Sequence, residues 1–177
     1  MHDQYNRKID YLRISLTDRC NLHCRYCQPE VSEHVTHNEI LRYEELLRIC
    51  RAALQLGIRK FKITVGEPLL RKGCSDFIAN LKQLEGAEQV TLTTNGTLLS
   101  NQLPALIAAG VDSINVSLDT LDAAYYTELT GGSLDSVLQA LQELQSAGIP
   151  FKLNCVPLAE NGPADIMQLL KLAHRYN

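Results

Sequence analysis

No stretch of this 177-residue chain is long and apolar enough to span a bilayer. Its first residues, Met1-His2-Asp3-Gln4-Tyr5-Asn6-Arg7-Lys8, lack the apolar run of a signal peptide. An excess of one charge is missing too. The 17 Lys and Arg residues against 20 Asp and Glu leave a net charge of −3, no basis for nucleic acid or an anionic membrane as a partner. There is no low-complexity segment and no linker-like stretch. These absences predict one cytoplasmic domain over residues 1–177, long enough to bury a core. With 45% hydrophobic and 21% charged residues, composition is ordinary and selects no function by itself.

In a reducing compartment the six cysteines do not read as a disulfide framework. Three of them are crowded into eight residues, Cys20-Asn21-Leu22-His23-Cys24-Arg25-Tyr26-Cys27. Three thiolates on one loop can ligate three irons of a cubane cluster and leave the fourth iron open. Zinc is the rival, since His23 would complete a Cys₃His set. Adjacent His23 and Cys24 are poorly placed to face one tetrahedral ion, and zinc loops more often pair Cys-x2-Cys with a distant second pair. Spacing favours iron and leaves zinc open. Cys50 and Cys155 read as small buried hydrophobes, and Cys74 as a loop residue with no assigned role.

Periodicity predicts strands at Tyr11–Leu16, Lys60–Val65, Gln89–Thr94, Ser113–Leu118 and Phe151–Val156. Helices are expected near Tyr43–Leu56, Ser75–Leu84, Asn101–Ala109, Leu134–Ala147 and Ala164–Tyr176. Gly57, Gly110 and Gly148 each follow a helix and precede a strand, in the place of a helix-ending glycine. The alternation predicts an α/β fold, a partial (βα) TIM-like barrel of parallel strands with about five βα units and no closing unit. Such a sheet leaves an open edge, which predicts a truncated chain or self-association, a homodimer included.

Active sites of parallel β/α folds gather at the carboxyl ends of the strands. Here those ends carry the cysteine loop, Val65-Gly66-Glu67-Pro68, Thr93-Thr94-Asn95-Gly96 and Asn115-Val116-Ser117-Leu118-Asp119, while the fifth strand carries Lys152 and Asn154. One such turn would say little; five on one rim predict a site.

The segment from Leu12 to Cys27, with its Cys-x3-Cys-x2-Cys spacing, resembles the radical S-adenosylmethionine superfamily. Lys62-Ile63-Thr64-Val65-Gly66-Glu67-Pro68-Leu69-Leu70-Arg71, Leu92-Thr93-Thr94-Asn95-Gly96 and Ile114-Asn115-Val116-Ser117-Leu118-Asp119 narrow the resemblance to the MoaA family. These are the GTP 3′,8-cyclases that begin molybdenum cofactor (molybdopterin) synthesis. The resemblance implies that Cys20, Cys24 and Cys27 bind one [4Fe–4S] cluster whose open iron takes S-adenosylmethionine. Tyr26, Gly66 and Ser117 match family positions that contact this cofactor. Arg13, Lys62, Thr93 and Lys152 match positions that contact GTP. As residues alone, Arg13 also fits an outward surface charge and Thr93 an ordinary strand residue. The implied reaction is reductive: an electron cleaves the sulfonium, and the 5′-deoxyadenosyl radical takes hydrogen from C3′ of GTP, which closes onto C8. The product is (8S)-3′,8-cyclo-7,8-dihydroguanosine 5′-triphosphate. A flavodoxin or ferredoxin is the expected electron donor.

Departures from the family pattern are instructive. Val65 stands where the motif has the first glycine of Gly-Gly-Glu-Pro. If that position needs φ > 0, valine costs about 1 kcal/mol or more there. Lys62 replaces a usual arginine, keeping charge but losing the planar fork. Gln28 interrupts a Cys-Met-Pro phrase. The family's second, C-terminal [4Fe–4S] cluster has no counterpart among Cys50, Cys74 and Cys155. Another radical enzyme with a different substrate, and a non-catalytic cluster-binding remnant, remain as alternative readings.

Overall fold

The structure, a computed structural model, describes residues 3–27 and 39–176. Five strands, β1 (Tyr11–Ser15), β2 (Lys60–Thr64), β3 (Gln89–Thr94), β4 (Ser113–Ser117) and β5 (Phe151–Asn154), form one parallel sheet in sequential order. Between them run α1 (Tyr43–Gln55), α2 (Cys74–Lys82), α3 (Leu99–Ala108), α4 (Ala123–Thr130) and α5 (Leu134–Ser146), and α6 (Pro163–Arg175) follows β5. The sheet is not closed: β1 and β5 each pair with one neighbour among the described residues. The predicted α/β partial barrel is the observed one, and each expected strand and helix lies within a few residues of its predicted place.

The alternation of side chains explains why the sheet has two unlike faces. Ile14, Phe61, Ile63, Val90, Leu92, Ile114 and Val116 point one way and are buried under the helices. Leu81, Leu106, Leu141 and Leu144 complete that layer from the helix side. The opposite face carries Arg13, Lys62, Thr91, Thr93, Asn115 and Lys152, with no aliphatic side chain among them. A buried strand in a doubly covered parallel sheet would be apolar on both faces. Here only one face is built for packing.

The three repeated joints behave as expected. Gly57, Gly110 and Gly148 have φ of 90°, 77° and 67°, the left-handed step that ends a helix and turns the chain into the next strand. Two details differ from expectation. Cys74 is the first residue of α2, buried at 1% exposure rather than sited in a loop, and burial pushes its thiol up to about 12. Helix α4 was not anticipated, because eight residues rich in Tyr and Thr give a weak helical stripe. Its ends were nonetheless written in the sequence: the Asp122 carboxylate accepts the Tyr125 N–H at 2.8 Å, and Gly131 closes it at φ 74°.

Candidate active site

The cysteine loop leaves β1 and folds onto the end of α4. The last carbonyls of a helix lack intrahelical donors, and two of them are used here. His23 N–H donates to Thr130 O at 2.8 Å and Arg25 N–H to Leu129 O at 3.0 Å. Leu22, 4% exposed, seats against Gly132, where an added Cβ would lie 2.6 Å from Leu22 Cδ2. The Arg25 guanidinium bridges Glu128 (3.0 Å) and Glu160 (2.7 Å), an exposed pair of contacts that orients more than it stabilises. Cys27 N–H donates to Cys24 O at 2.9 Å, a turn that keeps those two cysteines together.

Cys20 and Cys24 are half-buried and Cys27 is exposed. Burial pushes the Cys24 thiol up to about 11, with further pressure from Cys20, Cys27 and Asp119. Three soft sulfur donors on one loop suit a group that brings positive charge and prefers thiolate, as iron–sulfur clusters and zinc do. Among the described residues no three His, Cys, Asp or Glu side chains are drawn together as a metal centre. The fit to an iron–sulfur cluster is one of donor chemistry, three thiols on one loop, and not of a gathered centre. Gln28, which follows the loop, lies outside the described residues.

The exit of β2 supports the loop from the side. Val65 has φ 68° and Gly66 φ 61°, two successive residues in left-handed territory. A Cβ on Gly66 would stand 2.5 Å from Arg19 O and 2.6 Å from Thr17 O, so the glycine permits a backbone approach nothing larger allows. Val65 itself adopts the positive φ, at a strain cost of about 1–2 kcal/mol for an L residue. Glu67 then acts as a rivet. Its N–H donates to Arg19 O (2.8 Å), while its carboxyl accepts Leu69 N–H (3.1 Å), Thr94 O–H (2.8 Å) and Asn95 N–H (2.7 Å). Burial nevertheless raises the Glu67 carboxyl above its ordinary value, outweighing those three donors.

The exit of β4 holds the loop's other end. Asp119, 3% exposed, accepts the Tyr26 O–H at 2.6 Å and the Val156 N–H at 2.8 Å. Burial first, and Asp119 second, push the Tyr26 phenol well above its usual range, so it remains a donor. Tyr26, 40% exposed, keeps a ring surface open on the rim. Cys155, expected in the core, is half-buried at its edge, with its thiol 3.7 Å from Asp119 O.

The sequence-predicted residues fall into two groups. Cys20, Cys24, Cys27, Tyr26, Gly66 and Ser117 lie along the carboxyl rim. Arg13, Lys62, Thr93 and Lys152 lie on the polar face of the sheet. Arg13 is register partner to Lys62, and Thr93 is joined through Asn115 to Lys152, one step nearer the rim. Two cations side by side on neighbouring strands repel. Among the described residues none of Arg13, Lys62 and Lys152 has a carboxylate in ion-pair range. Such an array suits an anionic ligand. Glu67, Asn95 and Asp119 were visible as rim residues, but their contacts across strands were not.

A family model described as the Radical SAM superfamily matches residues 14–173. The GTP 3′,8-cyclase of Thermodesulfovibrio yellowstonii is 48% identical over 160 residues, covering 88% of this chain and 50% of that protein. The GTP 3′,8-cyclase of Peptoclostridium acidaminophilum is 48% identical over 157 residues, 87% of this chain and 48% of that protein. This chain thus spans about half the length of the curated relatives it matches. Among solved structures, Streptococcus suis SuiB is similar at TM-scores of 0.80 bound to precursor peptide SuiA and 0.78 bound to S-adenosylmethionine. Its 21% identity covers 94% of this chain and 36–37% of that one. At that identity the likeness is one of fold.

Proposed function

The chain belongs to the radical SAM superfamily, and from that premise we propose that it carries the radical-forming part of a GTP 3′,8-cyclase, a lyase of molybdenum cofactor biosynthesis. In this reading Cys20, Cys24 and Cys27 hold a [4Fe–4S] cluster, which when bound supplies the electron that cleaves S-adenosylmethionine. Tyr26, fixed by Asp119, offers its ring to that cofactor. Gly66 brings backbone against it without a side chain in the way, and Ser117 lines the far side. Arg13, Lys62, Thr93 and Lys152 receive GTP. Arg13 offers the triphosphate a planar fork, and Lys62 a rotatable point charge. The protein's part is orientation and exclusion of competing reactions, the division of labour usual for cofactor enzymes.

One observation carries the substrate assignment: Arg13 and Lys62 are adjacent, without carboxylate partners among the described residues, on a polar sheet face that opens toward the cysteine rim. The names of the relatives point the same way. A flavodoxin or ferredoxin would serve as reductant, in the cytoplasm, with a homodimer as the assembly. The test is anaerobic reconstitution with iron and sulfide, followed by measurement of 5′-deoxyadenosine with and without GTP, alongside equilibrium binding of GTP, other nucleotides and peptides. Iron uptake, cofactor cleavage and preference for GTP are expected. Zinc uptake instead of iron, or preference for a peptide, would overturn the reading.

A further inference from the structure

The three loop sulfurs are not equivalent. Cys20 Sγ accepts Leu22 N–H at 3.4 Å and the Asn95 side-chain amide at 3.7 Å. Among the described residues neither Cys24 nor Cys27 receives such a donor at sulfur. One of these donors comes from the loop itself; the other comes from the residue that follows β3, 75 residues away in sequence.

The orientation of the Asn95 amide is determined by its partners. An asparagine presents an acceptor oxygen and a donor nitrogen of similar size, so its orientation must be assigned from its partners. Here Asn95 Oδ1 accepts both Thr97 N–H (3.0 Å) and Thr97 O–H (2.7 Å). The opposite orientation would place two N–H groups against a backbone N–H. The nitrogen must therefore face Cys20 Sγ and Asn21 Oδ1, the latter at 2.9 Å. Thr97 Oγ1 in turn accepts Asn21 Nδ2 at 2.9 Å, closing a ring of side chains beside the first cysteine. On the backbone side Asn95 N–H is held by the buried Glu67 at 2.7 Å, which ties the whole group to the strand-two exit. A side chain held at backbone, oxygen and nitrogen at once has little freedom left, and what it aims at the sulfur is a donor.

We propose that Asn95 is a positioning residue for the Cys20 thiolate: it aims that sulfur and withdraws electron density from it, which makes one corner of the bound cluster unlike the other two. This inference rests on the iron–sulfur reading of the loop. Hydrogen bonds to ligating sulfur are among the levers that set cluster potential, and partners outside the ligand shell commonly change metal affinity 10–100-fold when removed. A donor on sulfur stabilises the more negative, reduced state. Its loss lowers the reduction potential.

The test uses the full chain, reconstituted with iron and sulfide, in three variants. Asn95→Asp keeps the oxygen that accepts from Thr97 and replaces the donor by an anionic oxygen. Asn95→Ala removes the donor without adding charge. Asn21→Ser breaks the neighbouring ring but leaves both donors on Cys20. The midpoint potential, read by EPR-monitored titration, is expected to fall in N95D by about a tenfold change in the one-electron equilibrium, ~59 mV. It should fall less in N95A and stay unchanged in N21S. Unchanged potentials in N95D and N95A, with iron bound normally, overturn the inference and leave the proposed function standing. A second readout needs no metal: alkylation of Cys20 in the metal-free chain at a pH high enough that both thiols are fully ionised, measured by peptide mass spectrometry against Cys27. A thiolate relieved of its donor is more nucleophilic, so the Cys20-to-Cys27 rate ratio is expected to rise in N95A and not in N21S. If the wild-type chain takes no iron, the proposed function fails and this ratio alone decides; an unchanged ratio overturns the role of Asn95.

Discussion

The two faces of the sheet share five strands and little else. One is lined by Ile14, Phe61, Ile63, Val90, Leu92, Ile114 and Val116, buried almost without exception; the other by Arg13, Lys62, Thr91, Thr93, Asn115 and Lys152, polar throughout. Neighbouring residues on one strand therefore answer to different constraints. The buried face holds the fold, and the polar face leaves stability unspent on contacts that a ligand can make.

The sharpest way to break that contrast is to cut each face at adjacent positions of β2. Phe61→Ala is expected to lower unfolding free energy by about 3–5 kcal/mol in a denaturant titration. Lys62→Ala is expected to change it by less than about 0.5 kcal/mol while weakening GTP binding by calorimetry. Equal losses of stability at both positions would abolish the distinction. Next in size is Gly66→Ala at the rim. Its Cβ has two carbonyl oxygens in the way, so a loss of about 1–3 kcal/mol is expected.

Glu67→Gln sets an amide nitrogen against backbone N–H donors and should destabilise by about 1–3 kcal/mol. It also carries a pH signature. Burial raises the folded-state pKa of Glu67 above its unfolded value, so the folded chain binds that proton more tightly. The associated stability is present below the ordinary carboxylate range and is lost as pH rises through the raised value. Melting curves across acidic to neutral pH should show that decline in the wild-type chain and lack it in E67Q. The smallest effect has the opposite sign: Val65→Gly relieves the positive φ and should stabilise by about 0.5–1 kcal/mol, less than the strain itself because glycine gains unfolded-state freedom. At this chain length that is a rise of roughly 2 °C in Tm.

Much of this was legible in the sequence because the signals were local. Strand alternation, the three helix-ending glycines and the Cys-x3-Cys-x2-Cys spacing each act over a few residues. The strain at Val65 was also readable, as a valine in a glycine's place. Helix α4 escaped because its amphipathic stripe is short, although Asp122 and Gly131 marked both ends. The contacts of Asn95, Glu67 and Asp119 escaped for a different reason. Each joins segments brought together only by the parallel register, and a single sequence does not say which rim residues will face each other. Cys74 was misplaced because Gly73 before it looked like a loop, whereas that glycine is the cap from which α2 starts.

The hydroxyl of Thr94 has a bearing on how the chain ages. An asparagine followed by glycine is prone to lose its side-chain amide, because the next backbone nitrogen can attack the amide carbon and leave aspartate behind. Asn95-Gly96 is such a pair. Here Gly96 N–H donates to Thr94 Oγ1 at 3.1 Å, and Asn95 Oδ1 is held by Thr97, so nucleophile and target are both engaged elsewhere. One threonine thus protects the chemical identity of the residue beside it, and a Thr94→Val chain should gather acidic charge variants at that dipeptide during storage.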